Sequence, residues 1–178
     1  MRSKAWKSLG GALVASLGGL AFAGCGRGEA RDPSDPPALV LGIALADPLG
    51  TTGPGAVPVT VTLENAGPGP ALASVRLLVN RPDGAHEVTF KMLGPDLREV
   101  PFTSRVNASY ESRRWKVLEP GKSVFATTNL ARDYDLSAQG FYTVQAVYEN
   151  SQSAPAGTSD LQAWKGRIAS PVLRFERK

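Results

Sequence analysis

The chain holds one thiol, Cys25, and one imidazole, His86, and that scarcity bounds its chemistry. A single cysteine leaves no partner for an intramolecular disulfide. Zinc sites gather three or four Cys, His or carboxylate ligands around one ion, and one His with one Cys is a poor start. A Ser-His-Asp triad would have to use His86, and no Gly-x-Ser-x-Gly turn presents a serine nucleophile. His86 follows the Asp83-Gly84 pair and reads as an exposed hairpin position. Gly53-Pro54-Gly55 and Gly67-Pro68-Gly69 lack the Gly-Lys-Ser/Thr of a phosphate loop and read as turns. Asp133 and Asp135 offer carboxylates two residues apart, but the other oxygen ligands of a calcium loop are missing, so they read as a solvated turn. The expectation is a protein with no catalytic residues, no cofactor and no metal, and therefore no enzyme.

Cys25 keeps one use. Ahead of it lie Arg2, Lys4 and Lys7, then an uncharged run of fourteen residues from Leu9 to Phe22, then small residues. A charged start followed by a short apolar run is the order of a signal peptide. The run is also short of the ~20 apolar residues that a transmembrane helix needs. Phe22-Ala23-Gly24-Cys25 resembles the bacterial lipobox, although Phe22 stands where leucine is usual. The resemblance implies cleavage before Cys25, lipid (palmitate) on its thiol, and anchorage of an extracytoplasmic protein to a membrane. More than one acyl chain matters there, because a single chain binds a bilayer only marginally. Gly26 takes the place of a retention aspartate, which points to the outer membrane if the host is Gram-negative. The competing reading is an ordinary signal peptide cut near Ala23, with Cys25 incidental.

Three segments follow: residues 1–24 removed, residues 25–37 a flexible tether after the lipidated Cys25, and residues 38–178 a folded domain. Gly26 to Pro37 has no apolar residue larger than alanine apart from proline, so burial cannot offset its ordering entropy. Of the chain's 20 basic side chains, three leave with residues 1–24, and none of its 16 acidic ones does. The remaining balance of 17 to 16 makes no electrostatic case for nucleic acid. One local concentration stands out. Arg98, Arg105, Arg113, Arg114 and Lys116 fall around Phe102, Tyr110 and Trp115. Within it Arg105, Tyr110, Arg113, Arg114 and Trp115 form the candidate contact surface, suited to acidic glycans, lipid headgroups or a protein partner. The competing reading is an amphipathic strand with solvated charges.

These residues need a scaffold, and the pattern supplies strands. Glycine (19) and proline (14) are abundant. Val57, Val59, Val61 and Leu63 alternate with Thr60, Thr62 and Glu64, the period of a half-buried strand. Further strands are expected at residues 38–45, 74–80, 86–93, 100–106, 113–118, 123–129, 141–149 and 168–176, with one short helical turn within 130–138. Eight or nine short strands with recurrent turns predict an all-β fold, an antiparallel β-sandwich. Asp135 to Val144 resembles the tyrosine-corner approach of immunoglobulin-like domains, with Tyr142 near the start of a late strand and Val144 where antibody domains carry a cysteine; the competing reading is a plain strand tyrosine.

A longer pattern runs through Leu118 to Val124, Asn129 to Ser137 and Gly140 to Gln145, with Val59 to Gly67 upstream. It resembles the non-catalytic, immunoglobulin-like amino-terminal region of the deuterolysin and peptidyl-lysine metalloendopeptidase family over about residues 38–149, with Asn129 in place of the usual aspartate. The resemblance implies a sandwich. The His-Glu-x-x-His helix of those proteases is absent from the sequence, so their activity does not transfer. The functional expectation is a membrane-anchored, non-enzymatic binding or scaffolding module with a protein or glycan partner. The alternative is an accessory or regulator of an extracytoplasmic metalloprotease.

Overall fold

A computed structural model describes residues 38–47, 55–77, 87–103 and 114–178. Its elements are β1 (Leu39–Leu45), β2 (Pro58–Asn65), β3 (Ala71–Ser74), β4 (Val88–Leu93), β5 (Trp115–Leu118), β6 (Ser123–Asn129), α1 (Leu130–Asp133), β7 (Gly140–Asn150), β8 (Gly166–Ala169) and β9 (Leu173–Arg177). The protein is an all-β, immunoglobulin-like antiparallel sandwich. One sheet runs β1-β2-β6; the other runs β4-β7, with β8 and β9 sharing the far edge of β7. These orders match A-B-E and C-F-G of immunoglobulin domains. A small sheet, β3-β5, completes the fold.

Alternation builds the core. On β2, Val59, Val61 and Leu63 are buried while the threonines between them are half-buried and Glu64 is exposed. From the facing sheet come Phe90, Met92, Val144 and Tyr148, all buried in the same cluster. At roughly 25 cal/mol per Å² of apolar surface removed from water, this cluster is the main stabilising contribution, with no disulfide to assist it. Tyr142 sits near the start of β7. Its hydroxyl donates to the Ala138 carbonyl four residues upstream at 2.8 Å, the bond that defines a tyrosine corner. Its ring stacks on Phe175 with centroids 5.4 Å apart.

Three boundaries differ from the pattern reading. The third strand begins at Ala71 and ends at Ser74, where 74–80 was expected. Leu77 takes φ 50°, a left-handed conformation that ends an extended run, yet its side chain remains buried. Residues 78–80 lie outside the described residues, as does the Asp83-Gly84 turn. In place of a strand over 100–106, the described residues show single bridges at Glu99 and Phe102.

The last expected strand is split into β8 and β9 by a bulge. Ser170, Pro171 and Val172 stand opposite only Gln145 and Ala146 of β7. Pro171 has no N–H for the ladder. Ser170 repairs the break: its hydroxyl accepts from the Ala146 N–H at 3.0 Å and donates to the Pro171 carbonyl at 2.7 Å. Its own N–H donates to the Ala146 carbonyl at 2.9 Å, and its carbonyl accepts from Gln145 Nε2 at 2.9 Å.

Candidate functional site

The site begins with an asparagine. Asn65 ends β2 fully buried. Its side-chain amide donates to the carbonyls of Gly69 and Leu118, each at 2.8 Å, and its Oδ1 accepts from the Gly67 N–H at 3.0 Å. Its backbone N–H and carbonyl are bonded to the Lys122 carbonyl and the Gly121 N–H. One residue thus fixes the turn after β2 and the end of β5 through its side chain, and the turn into β6 through its backbone. That second turn is Glu119-Pro120-Gly121-Lys122, closed by the Lys122 N–H on the Glu119 carbonyl at 2.9 Å. Proline at its second position and Gly121 at φ 72° give the pattern of a type II turn.

With both ends held, β5 and the start of β6 border an open groove of about 580 Å³. Arg114, Trp115 and Lys116 line one side and Val124 and Phe125 the other, with Val75 and Ser123 completing it. The register pairs Lys116 with Ala73 and Trp115 with Ser74, and the Val75 N–H donates to the Arg114 carbonyl at 2.7 Å. Arg114 and Lys116 are exposed and Trp115 is half-buried. Among the described residues neither cation has a carboxylate within ion-pair distance. Phe125 is 73% exposed, so its ring offers apolar area to the groove.

Of the expected contact residues, Arg114 and Trp115 therefore share this groove, and Lys116 joins them. Arg105, Tyr110 and Arg113 lie outside the described residues, as do His86 and Cys25. Two members of the wider cluster have other roles. Phe102 packs edge-on against Tyr134 with centroids 5.4 Å apart, so it supports the core. Arg98 lies in an exposed turn, 3.7 Å from Asp96. Phe125 was not anticipated. Its signal was present in β6, where Ser123, Phe125 and Thr127 share the outward face and Val124 and Ala126 the half-buried one.

The remaining carboxylates with chemical potential have structural partners. Asp133 is buried and accepts two hydrogen bonds at 3.0 Å from Arg132, whose guanidinium pKa is raised by that contact. Asp135 is exposed and accepts from the Ser137 N–H at 3.0 Å; hydrogen bonds from Ser137 hold its carboxyl below the usual range. Glu87 is fully buried, taking hydrogen bonds from the Ser74 hydroxyl and, at 2.6 Å, the Leu77 N–H. The Tyr134 hydroxyl donates to the Phe90 carbonyl at 3.2 Å, and burial, then the Asp133 charge, pushes its pKa far above the ordinary value. Trp164 packs over Tyr148 with centroids 5.8 Å apart and donates its backbone N–H to the Leu72 carbonyl at 2.8 Å. It anchors the long loop between β7 and β8. A second hollow of about 630 Å³ in that loop is lined by small residues, Leu161, Gln162 and Lys165. Among the described residues no three His, Cys, Asp or Glu side chains converge as a metal site would require.

No protein-family model matches this chain, and no match was found among curated proteins.

Proposed function

We propose that this protein is a membrane-anchored extracytoplasmic lipoprotein whose β-sandwich is a non-enzymatic binding or scaffolding module. The observation that carries the reading is the groove beside β5. It combines two exposed cations lacking carboxylate partners among the described residues with the exposed Phe125 and the half-buried Trp115. The cations favour an anionic partner by charge attraction, and the rings add apolar contact area. By contrast, Asp133, Asp135 and Glu87 each accept hydrogen bonds that hold the fold. The anchor rests on the sequence pattern that ends in Cys25.

The accessory-of-a-protease reading rests on the deuterolysin-like segments. Asn65, the Glu119–Lys122 turn and Asn129 lie within them. Asn129 caps α1, accepting from the Ala131 and Val57 N–H groups at 3.1 and 2.9 Å. These residues build turns and caps, so the likeness speaks to the sandwich and favours no protease link.

Two measurements test the proposal. Mass spectrometry of the protein from bacterial membranes should find acyl groups on Cys25 and no residues 1–24; an unmodified amino terminus elsewhere refutes the anchor. Capture of envelope components by the full chain should fall at least tenfold in Arg114→Ala/Lys116→Ala. Equal capture by the variant refutes the groove as the binding surface.

A further inference from the structure

Resting on that reading, we infer that the groove's partner is the anionic lipid surface to which the chain is tethered, so that the sandwich lies against the membrane by this face. Three observations meet here. The first is where the chain leaves the sandwich. Leu39, the first residue of β1, pairs with Asn65, whose N–H donates to the Lys122 carbonyl. Leu39, Asn65 and Lys122 thus form one row across β1, β2 and the start of β6. The tether joins the sandwich at this end. Strands lie about 4.8 Å apart and rise about 3.4 Å per residue. Ser123 and Phe125 are therefore on the order of 10 Å across and at most ~10 Å along from the tether.

The second is the tether's length. Gly26 to Pro37 spans at most roughly 40 Å when extended. The bilayer holding Cys25 is then always within reach of the groove, and a link of that length keeps the effective concentration of the surface high.

The third is chemistry. Exposed Phe125 offers apolar area that suits the headgroup boundary, while Arg114 and Lys116 suit anionic headgroups. Trp115 adds an amphipathic ring of the kind enriched at membrane interfaces. Lys122, in the turn beside Asn65, is also exposed. Two carboxylates lie at the same end, Glu64 opposite Ser123 and Glu119 in the turn. They temper the attraction without cancelling it.

The test uses the full chain reconstituted in vesicles, in a Trp6→Phe background, with bromine-labelled lipids as quenchers of tryptophan emission. Subtracting the signal of Trp115→Phe isolates Trp115. Strong quenching is expected in vesicles with about one third phosphatidylglycerol and little in pure phosphatidylcholine. Added salt should weaken it, since exposed charges are screened within ~10 Å at 0.1 M. Arg114→Ala/Lys116→Ala should lower the docked-to-undocked ratio roughly ten- to thirtyfold, and Phe125→Ser should lower it independently.

Equal quenching in both vesicle types, or no change in the double variant, overturns the inference. So does tight, vesicle-independent binding of a soluble carboxylated polysaccharide that the double variant loses; that result would leave the binding-module reading standing with a glycan partner. The comparison between lipid compositions is independent of how the chain is held, so a failed anchor is detected separately by the mass of Cys25.

Discussion

Along β5 and the residue before it, the protein treats polar groups in two opposite ways. At the end of β5 the Leu118 carbonyl belongs to the buried Asn65 cluster, where both amide hydrogens and the side-chain oxygen have partners. At its start Arg114 and Lys116 reach solvent, with no carboxylate partner among the described residues. The first arrangement is what burial demands, since a polar group removed from water without a partner costs about 1–3 kcal/mol. The second costs the fold nothing, because exposed charges remain solvated. The same contrast separates Phe102, packed on Tyr134, from Phe125, which faces outward. The difference divides the residues that hold the sandwich from those free to meet a partner.

Substitutions should follow that division. The largest effect is expected for Asn65→Leu, which strands the Gly69 and Leu118 carbonyls and the Gly67 N–H. A loss of about 3 kcal/mol, near 10 °C in Tm by calorimetry, is expected; a change below 1 kcal/mol would dissolve the contrast. Ser170→Ala comes next, since it removes the acceptor of the buried Ala146 N–H at the bulge. About 2 kcal/mol is expected from denaturant unfolding. Tyr142→Phe removes only the bond to Ala138 and should cost about 1 kcal/mol with the sheet register intact.

A pH measurement sharpens the buried side. The Tyr134 pKa is raised by burial and by Asp133, while in the unfolded chain it titrates near pH 10. Its contribution is fully present below about pH 10 and is lost as pH rises toward the higher folded value. Tyr134→Phe should flatten the alkaline fall of Tm, and unchanged slopes would count against the burial argument. Tyr142, shifted upward mainly by burial, leaves a residual slope. The smallest effect belongs to the groove. Arg114→Ala and Lys116→Ala should each shift stability by no more than about 0.5 kcal/mol, while binding changes tenfold or more. A large destabilisation would make these cations structural.

Much of the fold was legible because strand periodicity is local. β2 shows its alternation in sequence, and β6 falls at 123–129 as the pattern predicts. The Tyr142 bond spans four residues and follows from a short motif. The split between β8 and β9 was not legible, although Pro171 was visible. A bulge is a mismatch between two strands, and one strand's pattern cannot show how many residues oppose it. Arg98 and Phe102 were grouped with Arg114 by sequence proximity, but the chain carries them to a turn and to the core.

By itself the sequence determined the single thiol behind its short apolar run, the impossibility of an internal disulfide, the strand-rich pattern and the near-neutral balance of the chain after residue 24. Those are properties of composition and neighbours. Only the tertiary structure decided that Phe125 borders Arg114, Trp115 and Lys116 across a groove, that Asn65 gathers three separate segments, and that the first residue of β1 shares a row with Asn65 and Lys122. The reason is geometric. Each of these depends on strand pairing between residues far apart in the chain, and pairing is set by how the two faces close over a shared core.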